Sequence, residues 1–260
     1  MINESIKKEM YIEEIDSCLA ASMQLVDAYA KYRGMMEGIQ ENIDWLDKAP
    51  MPIIRHVNSE VELINFQFVM LPWRLLEKNK KGKEAPGGLA SLEGKEKRAD
   101  GDQNQTLTRV SWLLKDGLRK WPDLFSTQYK STRVEGVKYR KELSCEALED
   151  RKTKLLEHCA TVESLGSDDI YQKIDIIRNE GYAHSTALSH KRILRPEDGW
   201  QGEMLVKELL SFGDSVMDLC ICIDCYWRNM SQVSLDMRIY ASKAMSLEYW
   251  KIIKGACGDD

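Results

Sequence analysis

The sequence predicts an all-α protein, a bundle of amphipathic helices. Apolar residues recur every three or four positions through most of the chain, and no stretch of useful length alternates apolar and polar residues as a strand does. Only 6 Pro and 16 Gly interrupt the 260 residues, so long helices are possible. Hydrophobic residues make up 43% and charged residues 30%, which is ordinary for a folded globular protein.

The first forty residues show the helical pattern most plainly. Its apolar side is formed by Ile12, Ile15, Leu19, Met23, Val26 and Tyr29. The segment 49–52, Ala-Pro-Met-Pro, interrupts helical propagation, because proline lacks a backbone donor and restricts the residue before it. Asn58 and Ser59 are suited to cap the next helix, which the apolar pattern carries to about Lys78 with a kink or an end at Pro72.

Residues 79–105 differ sharply in composition and predict a flexible polar loop, since they contain almost no apolar residues. Helical patterns resume at Leu107 and pause at Trp121-Pro122, and a long amphipathic segment follows from about Thr132 to Leu165. The predicted organisation is one integrated domain, in which N-terminal helices of residues 1–78 pack on a bundle core of residues 106–260.

The last part of the chain adds further helices. Gly166 permits a left-handed exit from one helix, and Ser167 can cap the next helix, which begins near Asp168. Helical patterns then cover about 203–229 and 234–253. The longest apolar run, 216–227, is interrupted by two aspartates and is too short to span a bilayer, so no membrane contact is expected.

Charge and cysteine content limit the class of protein. The net charge of −5 does not indicate a nucleic-acid partner for the whole surface, so any RNA site has to be a local patch. The N-terminus lacks the apolar stretch of a signal peptide, and seven scattered Cys fit reduced thiols better than a disulfide framework. A soluble, cytoplasmic protein is therefore expected.

The segment 174–185, Ile-Asp-Ile-Ile-Arg-Asn-Glu-Gly-Tyr-Ala-His-Ser, carries the residues best suited to chemistry. Arg178 is followed at once by Asn179, and His184 lies six positions after Arg178. This pattern resembles the signature of the HEPN superfamily, most closely its abortive-infection, U-type branch. The helix that follows Ala49-Pro50 and ends in 73–78, Trp-Arg-Leu-Leu-Glu-Lys, is similar to the N-terminal half of that branch. The resemblance implies a HEPN-like antiparallel helical bundle with additional N-terminal helices.

The same resemblance implies a metal-independent endoribonuclease that uses no cofactor, leaves 2′,3′-cyclic phosphate ends, and acts as a toxin or phage-defence effector. Arg178 would hold the scissile phosphate, because a planar guanidinium stabilises the charge of the transition state with paired donors. His184 would act as acid or base, since its charge changes near neutral pH. Asn179 would orient the phosphate or the imidazole through hydrogen bonds.

Helix geometry favours a site shared by two chains. Six residues turn a helix by about 600°, which places Arg178 and His184 about 120° apart. One histidine also cannot easily serve as both acid and base, whereas a two-fold dimer brings two sets of residues into one cleft. The apolar stripe predicted to form the homodimer consists of Ile170, Ile174, Ile177, Gly181, His184 and Leu188.

Residues around the motif are candidates for binding RNA. Tyr182 and Ser185 could stack on a base or bind phosphate, although core packing is the commoner role of such a tyrosine. His190, Lys191 and Arg192 would form a basic rim at the end of the helix. Further upstream, residues 109–141 contain nine Lys or Arg against three carboxylates, which predicts either an RNA track or a solvated helix face.

Two other interpretations of the motif remain open. The first is a catalytically inactive HEPN domain that binds RNA or nucleotide and regulates a partner. The second is a helical interaction scaffold in which Arg178, Asn179 and His184 are structural. An antitoxin or regulatory partner is possible in the nuclease case. Some toxins of this family carry a tyrosine two residues after the histidine, which a nucleotidyltransferase modifies, but Thr186 occupies that position here.

The three cysteines Cys220, Cys222 and Cys225 resemble a metal ligand set but lie inside an apolar helical pattern, with no second pair of ligands at structural-zinc spacing. They predict a helical core, and no metal site is predicted.

Overall fold

The computed structural model describes residues 4–77, 106–125, 144–178, 206–229 and 231–257. In these ranges the chain forms eight helices and no strand, which confirms the all-α prediction. The helices are α1 (Glu4–Gln40), α2 (Ile43–Leu46), α3 (Met51–Leu76), α4 (Leu107–Lys120), α5 (Cys145–Leu165), α6 (Asp169–Ile176), α7 (Val206–Arg228) and α8 (Leu235–Ala256). None of these described helices is both long and apolar enough to cross a bilayer.

The start of α3 differs from the prediction. The helix begins at Met51, seven residues before the expected cap at Asn58, and the carbonyl of Pro50 accepts the first helical hydrogen bonds, from the amides of Ile53 and Ile54. Proline is tolerated in a first helical turn, because the amides there have no partner within the helix. The Ser59 hydroxyl donates to the Arg55 carbonyl inside the helix instead of capping it.

Two other local predictions can be compared with the structure. Pro72 lies inside α3, which continues to Leu76, so of the two predicted effects of this proline, a kink or an end of the helix, the end is excluded. Gly166 follows α5 with φ −68°, which is a right-handed conformation and not the left-handed exit that glycine would permit. The hydroxyl of Ser167 donates 3.3 Å back to the Glu163 carbonyl, which satisfies one of the orphan carbonyls at the end of α5.

The contacts divide the chain into two compact units, each assembled from three segments. The first unit consists of Met1–Gln24, Arg74–Asp168 and Asp218–Gln232, and the second consists of Leu25–Trp73, Asp169–Met217 and Val233–Asp260. Both units therefore combine residues from before and after the segment 79–105.

The first unit is centred on α4. Thr106 caps this helix by accepting a hydrogen bond from the Arg109 amide, and the N-terminal part of α1 packs against it. The Tyr11 hydroxyl donates 2.6 Å to Oδ2 of Asp116, and the guanidinium of buried Arg109 pairs with Glu14. The large side chains that are almost completely buried in this unit include Ile15, Leu19, Leu107, Leu113, Leu114 and Trp227.

The second unit packs α1 against α3, α7 and α8. The rings of Tyr29 and Phe68 meet edge to face, with centroids 5.6 Å apart, and the Tyr29 hydroxyl donates 2.8 Å to Asp214. Trp45 of α2 and Trp250 of α8 form a second edge-to-face pair, with centroids 6.2 Å apart. These aromatic pairs bury large apolar areas and fix the relative orientation of the helices that carry them.

Candidate functional site

Helix α6 positions the one motif residue that the structure describes, Arg178. The helix begins at Asp169, which pairs with Lys173 at 2.9 Å, and Ile174 is completely buried. A π-helical turn at Ile177 and Arg178 follows α6. Such turns are rare in α-helices and frequently mark functional sites.

The guanidinium of Arg178 lies on an aromatic ring from a distant part of the chain. Its Cζ atom is 4.0 Å from the centroid of the Trp73 ring, near the C-terminal end of α3. Tryptophan is the most favourable aromatic partner for a cation, and the interaction is worth about 0.5–2 kcal/mol depending on burial. The contact with the ring restricts the position of this arginine.

The Trp73 ring is itself fixed by helix α6. Its Nε1 atom donates a 2.8 Å hydrogen bond to Oδ1 of Asp175, and the residue is only 7% exposed. Asp175 precedes Arg178 by three positions, so the two side chains that hold the indole come from adjacent turns of one segment. The resulting cluster, Trp73, Asp175 and Arg178, places a cation at the point where the motif begins.

All of the other predicted site residues lie outside the described residues. These are Asn179, Tyr182, His184, Ser185, His190, Lys191 and Arg192. Their predicted roles in catalysis and substrate binding stay predictions. The segment 79–105 also lies outside the described residues.

The predicted dimer stripe is described at three positions. Ile170 and Ile177 are half-buried, whereas Ile174 has no exposed surface and packs within its own chain. Ile174 therefore stabilises the fold of one chain and offers no surface to a second copy, and Gly181 and His184 lie outside the described residues. The neighbouring Ile176 is 40% exposed.

The structure describes four of the nine cations in the basic segment 109–141, and each of these four has a carboxylate partner. Arg109 pairs with Glu14, and Lys115 lies 2.7 Å from Glu163. Arg119 and Lys120 lie 2.6 and 2.9 Å from the buried carboxylate of Asp116. These ion pairs favour a structural role for this part of the segment over an RNA track.

The three cysteines of α7 lie within the helix as predicted. Cys220 is completely buried, and Cys222 and Cys225 are half-buried. Burial raises the pKa of the Cys222 thiol, with smaller contributions from Cys225 and Asp218. A raised pKa disfavours the thiolate, which is the form that reacts and binds metals.

Comparisons of the chain with protein-family models, with curated proteins and with solved structures find no match.

Proposed function

We propose that the protein is a metal-independent endoribonuclease of the HEPN type, a toxin or phage-defence effector whose site is shared by two copies of the chain. The observation that carries the proposal is the stacking of Arg178 on Trp73. The motif around Arg178 and the segment that begins at Trp73 each resemble the same HEPN branch, and the two segments meet in this contact.

In the proposed site Arg178 binds the scissile phosphate. The Cζ atom of Arg178 lies over the Trp73 ring, and the five in-plane N–H donors of a guanidinium are suited to bind phosphate oxygens. An arginine whose position is already restricted loses less conformational entropy when it binds an anion. Its charge stabilises the phosphorane-like transition state as the 2′-oxygen attacks phosphorus.

The proton transfers are assigned to histidine. One His184 removes the proton of the 2′-hydroxyl, and the His184 of a second copy donates a proton to the departing 5′-oxygen. The bond between phosphorus and the 5′-oxygen breaks as the bond to the 2′-oxygen forms, which leaves a 2′,3′-cyclic phosphate. Asn179 orients the phosphate or the imidazole.

The proposed dimer face consists of Ile170, Ile177, Gly181 and His184, without Ile174. The partly exposed side chains of Ile170 and Ile177 support this assignment, because an isologous interface needs apolar surface that the single chain leaves uncovered.

The test is incubation of the purified chain with end-labelled RNA in the presence of a chelator, followed by analysis of the product termini. Arg178→Ala and His184→Ala should each abolish cleavage while the protein stays folded and dimeric. Arg55→Ala is a matched control, since this residue is exposed on α3 outside the motif, and it should cleave like the wild type.

Three results would contradict the proposal in different ways. If both Arg178→Ala and His184→Ala still cleave RNA, these two residues are not the catalytic residues. RNA binding without cleavage by the wild type indicates a regulator that binds RNA. A marked loss of stability in His184→Ala, with no RNA binding by the wild type, indicates an interaction scaffold with a structural histidine.

A further inference from the structure

The second unit contains a cavity that the proposed nuclease reaction does not use. Its volume is about 360 Å³, within the range of small-molecule sites, and residues of α1, α3 and α8 line it. The lining is mainly apolar and includes Met35, Ile39, Val57, Met245 and Trp250. Trp250 is only 4% exposed, so its ring is a fixed wall of the cavity.

A close approach of α1 and α8 makes one side of this cavity rigid. A Cβ atom added at Gly34 would lie 2.5 Å from the backbone nitrogen of Lys243, and one added at Gly38 would lie 2.8 Å from the Cβ of Ser246. Glycine on one helix and serine on the other therefore let the two backbones approach closely.

Lys31 of α1 and His56 and Glu60 of α3 also line the cavity. Within the described residues these three side chains form no hydrogen bond or ion pair. On the two helices that approach each other here, Arg33 of α1 lies 3.2 Å from Asp214 and Lys243 of α8 binds Glu41. A cation and a carboxylate without protein partners at the edge of an apolar cavity form a site for a ligand of matching charges.

We propose that this cavity binds a small zwitterion with an apolar body, of the class of a free amino acid with a large apolar side chain. The apolar body packs against Val57, Met245 and Trp250. The carboxylate of the ligand binds the ammonium of Lys31, and its ammonium group binds the carboxylate of Glu60. His56, one helical turn before Glu60, adds a hydrogen-bond donor or acceptor at the same edge.

The proposed ligand site is separate from the motif. Glu60 and Trp73 lie on the same helix, and thirteen residues of α-helix correspond to about 20 Å. Ligand binding can therefore be tested independently of RNA cleavage.

The experiment is calorimetric titration of the full chain with four probes that share an indole body, namely L-tryptophan, indole-3-acetate, tryptamine and indole. L-Tryptophan should bind about fivefold more tightly than indole-3-acetate or tryptamine, because an exposed ion pair contributes no more than about that factor. Indole, which has neither charge, should bind most weakly.

Two variants test which protein side chain binds each charged group of the ligand. Lys31→Gln should remove the advantage of L-tryptophan over tryptamine, and Glu60→Gln should remove its advantage over indole-3-acetate. Glu62→Gln and Lys251→Gln, at exposed positions that do not line the cavity, should retain both advantages. The proposal would be overturned if none of the four probes bound or if all four bound equally. It would also be overturned if the order of affinities were unchanged in the Lys31 and Glu60 variants.

Discussion

Trp73 and Asp175 are joined by a hydrogen bond of 2.8 Å from the indole nitrogen to the carboxylate, across 102 residues of sequence. The bond holds the ring on which Arg178 lies. Trp73 is almost completely buried, so truncation of Asp175 would remove the partner of a largely buried N–H.

Replacement of Asp175 tests this bond directly. Asp175→Ala should lower the free energy of unfolding by about 1–3 kcal/mol, because it leaves a buried donor unsatisfied. Asp175→Asn retains a carbonyl acceptor and should cost less than half as much. Urea unfolding of the two variants measures the difference, and equal losses would show that the indole bond does not contribute.

Tyr11 and Asp116 should make the protein sensitive to alkaline pH. Burial, followed by the hydrogen bond to Asp116, raises the pKa of Tyr11 from 10.0 to about 12. Between these values the unfolded chain loses the phenolic proton while the folded chain keeps it, so stability falls as pH rises. A shift of this size corresponds to a loss on the order of 2–3 kcal/mol across the window.

Tyr11→Phe is the matched variant, since it retains the ring and removes the titrating group. Its free energy of unfolding should fall less steeply than that of the wild type between pH 10 and 12, as measured by urea unfolding at a series of pH values. Parallel curves for the two proteins would contradict the assignment.

His158 should contribute a sensitivity to mildly acidic pH. Burial lowers the pKa of this histidine, which outweighs the opposite effect of Glu157, and its ring lies against Tyr226 with centroids 5.2 Å apart. The unfolded chain binds a proton below the ordinary value of 6.5 before the folded chain does, so stability falls as pH decreases through this region. His158→Gln should flatten the dependence in thermal unfolding, and an unchanged dependence would contradict the assignment.

The approach of α1 and α8 predicts opposite effects for two glycine substitutions. Gly34→Ala should lower the free energy of unfolding by about 1–3 kcal/mol, because the new methyl group meets the backbone of α8, which cannot move aside. Gly255→Ala should raise it by about 0.5–1 kcal/mol, because a Cβ atom there has no neighbour within 4 Å and alanine favours the helix. Thermal unfolding compares the two, and stabilisation by both would refute the close approach.

The sequence predicted the helices because their signals are local. The periodicity of residues 12–29 marks the buried side of α1, and Ser234 caps α8 by accepting a hydrogen bond from the Met237 amide. The predicted start of α3 was wrong. Proline can end a helix or occupy its first turn, and the sequence alone does not distinguish the two cases.

The partners of the charged residues could not be predicted from the sequence. The contact of Arg178 with Trp73 and that of Arg109 with Glu14 each depend on the packing of helices that are far apart in the chain. The number of Lys and Arg residues in a segment does not show which of their side chains form ion pairs and which face solvent. Glycine at 34 and 38 was the available signal for a close helix crossing, but glycine inside a helix has several roles and does not identify the partner helix.

The edge-to-face contact of Trp45 with Trp250 provides an optical reporter. Two indoles with centroids 6.2 Å apart lie close enough for their electronic transitions to couple, and the coupling contributes to circular dichroism in the ultraviolet. Any event that lifts the C-terminal helix from its neighbours would extinguish that contribution. The docking of this helix can therefore be followed in solution without a chemical label.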